Sequence, residues 1–335
     1  MTRLWGRRGL AGAFLALALA ATTACGGGGG NPAGAGKDQL NLTMGGSQSG
    51  SSVFSLITAQ ARLAGNADGA LNINIRETSA SSENIQLLRD GAVDFGLSGL
   101  GTVIQARDGL GGFAANPYPE LCNLMNYLRN AEFMTVRADM GIETIHDLEG
   151  KAVAPGFQGS AVHDNFLAYL DVLGIEVEVF EGSLEDIANA MKDGRIVAFG
   201  KSGNGLGADA SMLDVASAVP VKAVGFTPEE AEQILNAAPD NQKLFVFDEI
   251  PAGSIYDNPQ PFVTSFVISS YFADASMPEE TAFRLTKSMY EALDTAAQQS
   301  NYAGAKGITT ELTTSTVQNL PLCAGSARYF ENPAG

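Results

Sequence analysis

Residues 40–52 read LNLTMGGSQSGSS, and this stretch decides the fold that the sequence predicts. Its first five residues alternate between apolar and polar side chains, which indicates a β-strand. A loop of glycine and serine follows, and apolar residues then recur at helical spacing through Val53, Leu56 and Leu63. A strand, a glycine-rich loop and a helix in this order are typical of an α/β domain with a parallel sheet.

The same rhythm continues along the chain and restarts near residue 133, so two α/β units are predicted. An apolar run at 262–272 predicts a long strand that returns to the first unit, and residues 278–299 predict an amphipathic helix. The remaining predicted elements are strands at 71–75, 93–97, 133–137, 151–154, 175–179 and 196–199, and helices that begin at 81, 144, 161 and 183.

Two units joined by crossing strands predict an α/β fold of two lobes with a hinged cleft between them. We expect residues 38–132 and 262–335 to form the first lobe and residues 133–261 to form the second. A chain of 335 residues with 45% apolar residues is long enough and apolar enough for two packed lobes.

The N-terminus predicts export from the cell. Arg3, Arg7 and Arg8 precede an apolar stretch over residues 10–21, which suits a signal peptide and is too short to span a bilayer. We therefore expect residues 1–24 to be a signal peptide. The general export route and, from the paired arginines, the twin-arginine route are the two alternatives.

Cys25 follows small residues and resembles the cysteine of a bacterial lipobox, which is acylated after cleavage. Ordinary cleavage near Ala24, without a lipid, is the alternative. Residues 25–37 are rich in glycine and predict a flexible tether. The expected location is the periplasm or the outer face of the cytoplasmic membrane, with a lipid anchor as the contact to the membrane.

The charge of the chain limits its partners. Its formal net charge is −17, with only 20 lysine and arginine residues. Such a surface repels phosphate backbones and anionic lipid headgroups, so nucleic acid is not an expected partner.

Few residues suited to catalysis are present. The histidines are His146 and His163, and no metal-ligand spacing surrounds them. Cys122 and Cys323 could form a disulfide in an exported protein or could be two buried thiols, and their spacing does not decide between these. We expect no catalytic residue, no metal and no cofactor.

Four loops rich in glycine and serine, at 45–52, 78–84, 155–160 and 200–205, follow predicted strands or precede predicted helices. In open α/β sheets, ligands bind beyond the carboxyl ends of strands. Backbone N–H groups at helix starts favour an anion, and Lys201 could add a charge partner for a ligand carboxylate. The alternatives are helix capping for Ser81 and Asn84 and a solvated side chain for Lys201. The candidate ligand-binding residues are Gly46, Ser47, Ser49, Gly50, Ser51, Ser81, Asn84, Ser98, Gly159, Ser160, Lys201, Ser202 and Asn204.

Six segments occur in an order that matches one known family. The segments are MGGSQSG at 44–50, SSENIQLLRDGAVD at 81–94, DLEGK at 147–151, Gly159-Ser160, IPAG at 250–253 and AGSARYF at 324–330. Taken together, they resemble the TAXI family of solute-binding proteins, which serve TRAP-type membrane transporters, and the resemblance extends from about residue 40 to residue 330.

The resemblance implies a type II periplasmic-binding-protein fold and a small solute such as glutamate or an oxo-dicarboxylate. It implies the membrane subunit of a TRAP transporter as the partner, and we expect a monomer. A sensor lipoprotein with the same binding chemistry and an enzyme on the same fold are the alternative functions.

Overall fold

The structure, a computed structural model, describes residues 39–79, 81–237 and 246–332. The predicted signal peptide at 1–24, the lipidation site Cys25 and the tether at 25–37 lie outside the described residues. Within the described ranges, no helix combines the length and the hydropathy of a membrane span.

The strands form one mixed sheet. Their order across the sheet is β2-β1-β3-β10-β4-β7-β5-β6, with β8 paired to β4 and β9 paired to β10. The strands are β1 (Leu40–Gly45), β2 (Leu71–Arg76), β3 (Phe95–Gly99), β4 (Leu121–Arg137), β5 (Ala152–Ala154), β6 (Glu178–Val179), β7 (Ala198–Ser202), β8 (Val221–Val224), β9 (Val246–Ile250) and β10 (Phe262–Asp274).

Helices connect the strands and cover the sheet. The α-helices are α1 (Ser52–Ala67), α2 (Ser81–Arg89), α3 (Leu100–Asp108), α4 (Ala161–Leu173), α5 (Leu184–Lys192), α6 (Ala210–Ala218), α7 (Pro228–Ala237), α8 (Glu279–Gln299), α9 (Thr310–Thr314) and α10 (Ala324–Glu331), and short 3-10 helices lie at Gly111–Phe113, Ala138–Met140, Ile145–Leu148 and Ala303–Ala305.

The sheet has two parallel parts. Strands β1 to β3, with α1 to α3, make what we call the first half. The parallel strands β5 to β7 make the second half, together with β8, which pairs antiparallel with β4, and with α4 to α7. Strand β4 pairs with β10 along residues 121–130 and with β7 along residues 132–136, so it passes from one half to the other near Ala131. Separate apolar clusters stabilise the halves, one around Met44 and Phe95 and another around Phe166.

The sequence prediction places the start of β4 at residue 133, whereas the strand begins at Leu121. Asn123, Asn126 and Asn130 interrupt the apolar pattern, and all three are buried. Tertiary contacts make their burial possible. For example, Asn126 donates to the backbone oxygen of Leu312 at 2.8 Å. Helix α3 is also absent from the sequence prediction.

A disulfide links the C-terminal helix to the centre of the sheet. Cys122 on β4 is bonded to Cys323, which is the N-cap of α10. The Cys323 N–H also donates to the backbone oxygen of Asn123 at 2.9 Å. Residues 324–331 are thereby held against the first half.

Candidate functional site

A cavity of about 70 Å³ lies between the first and second halves. This volume has room for on the order of five water molecules, which corresponds to a small organic molecule. The cavity brings together eight of the thirteen predicted ligand-binding residues, namely Gly46, Ser47, Ser51, Ser81, Ser98, Ser160, Lys201 and Ser202.

The position of the cavity follows from the sheet. Strands β1, β3 and β7 end at its wall, and helices α1, α2, α3 and α4 begin there. The first N–H groups of a helix lack partners inside the helix and carry partial positive charge. Four helix starts at one cavity therefore favour a ligand with negative charge.

Serine hydroxyls order two of these helix starts. Ser51 accepts the N–H of Phe54 at 3.2 Å and caps α1, while Ser160 accepts the N–H of His163 at 3.1 Å and caps α4. A hydroxyl can accept and donate at the same time. Ser160 can therefore cap its helix and still donate its own hydrogen to a ligand oxygen.

Lys201 is the cation at the cavity wall, and it has a partner inside the protein. Its ammonium lies 2.7 Å from a carboxylate oxygen of Asp209, and both side chains are at least 95% buried. Burial alone would raise the pKa of Asp209, but the charge and hydrogen bond of Lys201, together with hydrogen bonds from the Ser211 hydroxyl and the Met212 N–H, hold that pKa below its ordinary value. The alternative of a solvated Lys201 is wrong, because the side chain is buried.

Asn84 is buried but does not line the cavity. Its amide donates to the backbone oxygens of Gly46 and Leu97, each at 2.8 Å, and so joins the ends of β1 and β3. Gly45 has no room for a side chain, because a Cβ there would lie 2.5 Å from Asn84 Oδ1. Asn84 therefore shapes the loop that carries Ser47 and Ser51.

Four other predicted residues also lie away from the cavity wall. Ser49 and Gly50 line a wider groove of about 830 Å³ at the mouth between the halves. The Gly159 oxygen accepts the N–H of Ser82 at 3.3 Å. Asn204 accepts the N–H of Ala303 at 2.5 Å and joins two loops.

The sequence prediction missed part of the wall. Tyr127 and Asn130 come from β4, Phe157 from the loop before α4, and Val267 and Ser269 from β10. Burial raises the pKa of the Tyr127 hydroxyl well above its usual range, with Ser269 opposing the shift. The sequence does contain a signal for this part of the wall, because polar residues occur inside the apolar run at 121–137. Such a pattern indicates a strand whose polar side chains have a function.

A family model matches residues 44–333 of the chain. The chain belongs to the NMT1-like family. No curated protein is significantly similar to it in sequence.

Solved structures show which fold this NMT1-like protein has. MatC from Rhodopseudomonas palustris with bound malate aligns with a TM-score of 0.58 and 14% identity, covering 87% of this chain and 98% of MatC. The periplasmic binding protein BugD aligns with a TM-score of 0.57 and 12% identity, covering 87% of this chain and 97% of BugD. The predicted α/β fold of the type II periplasmic binding proteins is confirmed.

A buried carboxylate lies behind the cavity of the NMT1-like protein. Glu132 on β4 pairs in register with Ser202 and is fully buried. Its carboxylate accepts hydrogen bonds from Asn165 of α4 at 3.0 Å and from Ser265 of β10 at 3.1 Å. Burial raises the pKa of Glu132 to about 7, and these two hydrogen bonds oppose the shift.

We predict that the Glu132→Gln variant is more stable than the wild type at pH 8 and gains little at pH 5. The pKa of Glu132 rises from 4.5 to about 7 on folding. The folded state therefore binds the proton more tightly than the unfolded state does. The resulting contribution to the free energy of unfolding is complete below pH 4.5 and is lost as the pH rises through 7. The wild type loses about 3 kcal/mol of unfolding free energy in this way. Urea unfolding of both proteins at both pH values measures it, and a pH-independent difference between them would contradict the assignment.

Proposed function

We propose that this protein is an exported solute-binding protein that holds a small carboxylate between its halves and presents it to a TRAP-type membrane transporter. The observation that carries the proposal is the cavity at which four helix starts and Lys201 meet. Backbone amides and hydroxyls there offer donors to carboxylate oxygens, and donors to a charged acceptor make the stronger hydrogen bonds.

The cavity wall offers binding groups and little for catalysis. Among the described lining residues, the titratable side chains are Lys201 and Tyr127. Acid–base catalysis needs a paired acid and base close to the reacting atoms, and this wall does not supply an obvious pair. The arrangement supports capture of a solute rather than its conversion.

The wall also ranks the two solute classes that the family resemblance implies. The ammonium of glutamate would need an anionic partner, and no described lining residue is a carboxylate, since Asp209 lies behind Lys201. A 2-oxo group needs only hydrogen-bond donors, which the serines supply. We therefore propose an oxo-dicarboxylate such as 2-oxoglutarate ahead of glutamate.

The proposal includes two lobes, residues 38–132 with 262–335 and residues 133–261, that close by a hinge. Strands β4 and β10 run between the halves and are the natural hinge elements. The type II fold supports hinge closure around a ligand. The transporter partner, the monomeric state, the signal peptide and the lipid on Cys25 rest on the sequence and its family resemblance.

Thermal unfolding with and without solutes tests the function. We expect 2-oxoglutarate at 100 times its Kd to stabilise the protein by about 2.7 kcal/mol, because a ligand of the native state shifts the unfolding equilibrium. This raises the Tm by roughly 4 °C for a chain of this size. Glutamate and malate test the ranking, and dimethyl 2-oxoglutarate, which lacks the charges, is the control. A panel of small carboxylates without any stabiliser would contradict the proposal.

A further inference from the structure

Hydrogen bonds cross the mouth of the cleft from the first half to the starts of two helices in the second half. The N–H of Leu184, the first residue of α5, donates to Gln48 Oε1 at 2.9 Å. The N–H of Ala210, the first residue of α6, donates to Ser52 Oγ at 3.1 Å. Gln48 lies in the loop before α1, and Ser52 is the first residue of α1.

Each of these helices also has a cap of its own. Ser183 accepts the N–H of Asp186 at 3.2 Å at the start of α5. Asp209 accepts the N–H of Met212 at 3.0 Å at the start of α6. The helices therefore do not need Gln48 or Ser52 to be capped, and the two crossing bonds satisfy further N–H groups that an α-helix leaves unpaired.

The crossing bonds are tied to the cavity from both sides. Ser47 and Ser51 line the cavity, and each is followed directly by a residue that makes a crossing bond, Gln48 or Ser52. On the other side, Asp209 precedes Ala210 and holds Lys201 of the cavity wall at 2.7 Å. A solute that orders the loop or Lys201 therefore orders the groups that make the crossing bonds.

We propose that Gln48 and Ser52 act as positioning residues that cap α5 and α6 across the cleft and so set the population of the closed form. This inference rests on the proposed function, because a closed form matters when a solute is held. When the cleft opens, Leu184 and Ala210 lose their acceptors, whereas Asp186 and Met212 keep theirs. The apparent affinity for a solute is then reduced by the fraction of closed protein.

Amide hydrogen exchange followed by NMR tests the proposal without any ligand. We expect Gln48→Met to speed exchange at Leu184 and Ser52→Ala to speed it at Ala210, each about fivefold, because a lost cap shifts the equilibrium by that factor. Exchange at Asp186 and Met212 should stay within twofold of the wild type. Unchanged exchange at Leu184 and Ala210 would overturn the proposal.

Two matched variants separate the crossing bonds from local effects. Gln48→Glu keeps the acceptor for Leu184 and loses the bond that Gln48 donates to Ser79, so Leu184 should stay protected. Ser217→Ala removes a hydroxyl whose bond stays inside α6, so Ala210 should be unaffected. Faster exchange at these amides in either matched variant would also overturn the proposal.

Titration calorimetry with 2-oxoglutarate adds a second readout. The Kd should rise in each single variant and rise most in the double variant, by at most about fivefold and about 25-fold, because the apparent Kd varies inversely with the closed fraction and independent effects add in free energy. If the wild type fails to bind this probe, the proposed solute is wrong. The exchange rates still test whether Gln48 and Ser52 cap α5 and α6. Faster exchange with a Kd that is unchanged even in the double variant would contradict the link between capping and affinity.

Discussion

Lys201→Met should lower both the stability of the protein and its affinity for a carboxylate. The change leaves Asp209 buried without its cation, and breaking a buried pair in this way costs about 3–5 kcal/mol of unfolding free energy. The lost charge-assisted hydrogen bond should weaken binding of 2-oxoglutarate about 10- to 100-fold. Urea unfolding and titration calorimetry measure the two effects separately.

Two control variants distinguish the roles of Lys201. Lys192→Met breaks an exposed pair with Asp214, whose side chain is 60% exposed, and should cost at most about 1 kcal/mol. The double variant Lys201→Met with Asp209→Asn removes both buried charges, so it should recover much of the stability but none of the affinity. Full affinity in that double variant would show that Lys201 does not contact the solute.

Replacing both Cys122 and Cys323 by alanine should cost about 3–5 kcal/mol of unfolding free energy, because a long loop is no longer closed in the unfolded chain. The two residues lie 201 positions apart in the sequence. Guanidinium unfolding of the wild type and the variant, each with and without a reductant, measures the loss.

The reductant supplies the internal control for the disulfide. It should lower the stability of the wild type by about as much as the double replacement does and should leave the variant unchanged. Because the bridge lies away from the cavity wall, solute affinity at low denaturant should be preserved. An unfolding midpoint of the wild type that is insensitive to reductant would contradict the prediction.

Much of the cavity could be predicted from the sequence because its residues sit at the ends of locally encoded elements. Helix α4 spans Ala161–Leu173 and begins at the residue that the sequence predicts. Ser47, Ser51 and Ser160 followed from the rule that ligands bind beyond strand ends. The first part of strand β4, before residue 133, was not predicted, because its buried asparagines give the segment the polar pattern of a loop.

Other predicted residues turned out to serve the protein itself. Asn84 and Asn204 carry the polar side chains expected of a binding loop, yet their amides join backbone segments. A side-chain amide that binds a ligand and one that binds a carbonyl have the same sequence signature. The two cases differ only in which backbone segments of the folded chain lie next to the amide.

Most of the alternating strands and helices, the serine-rich strand ends and the acidic surface could be predicted from local sequence, because periodicity and caps depend on residues a few positions apart. Three features became visible only in the folded structure: Lys201 meets Asp209 inside the protein, Glu132 is buried, and Gln48 reaches α5. These features depend on which distant segments pack together and exclude water. Local spacing carries no signal of such contacts.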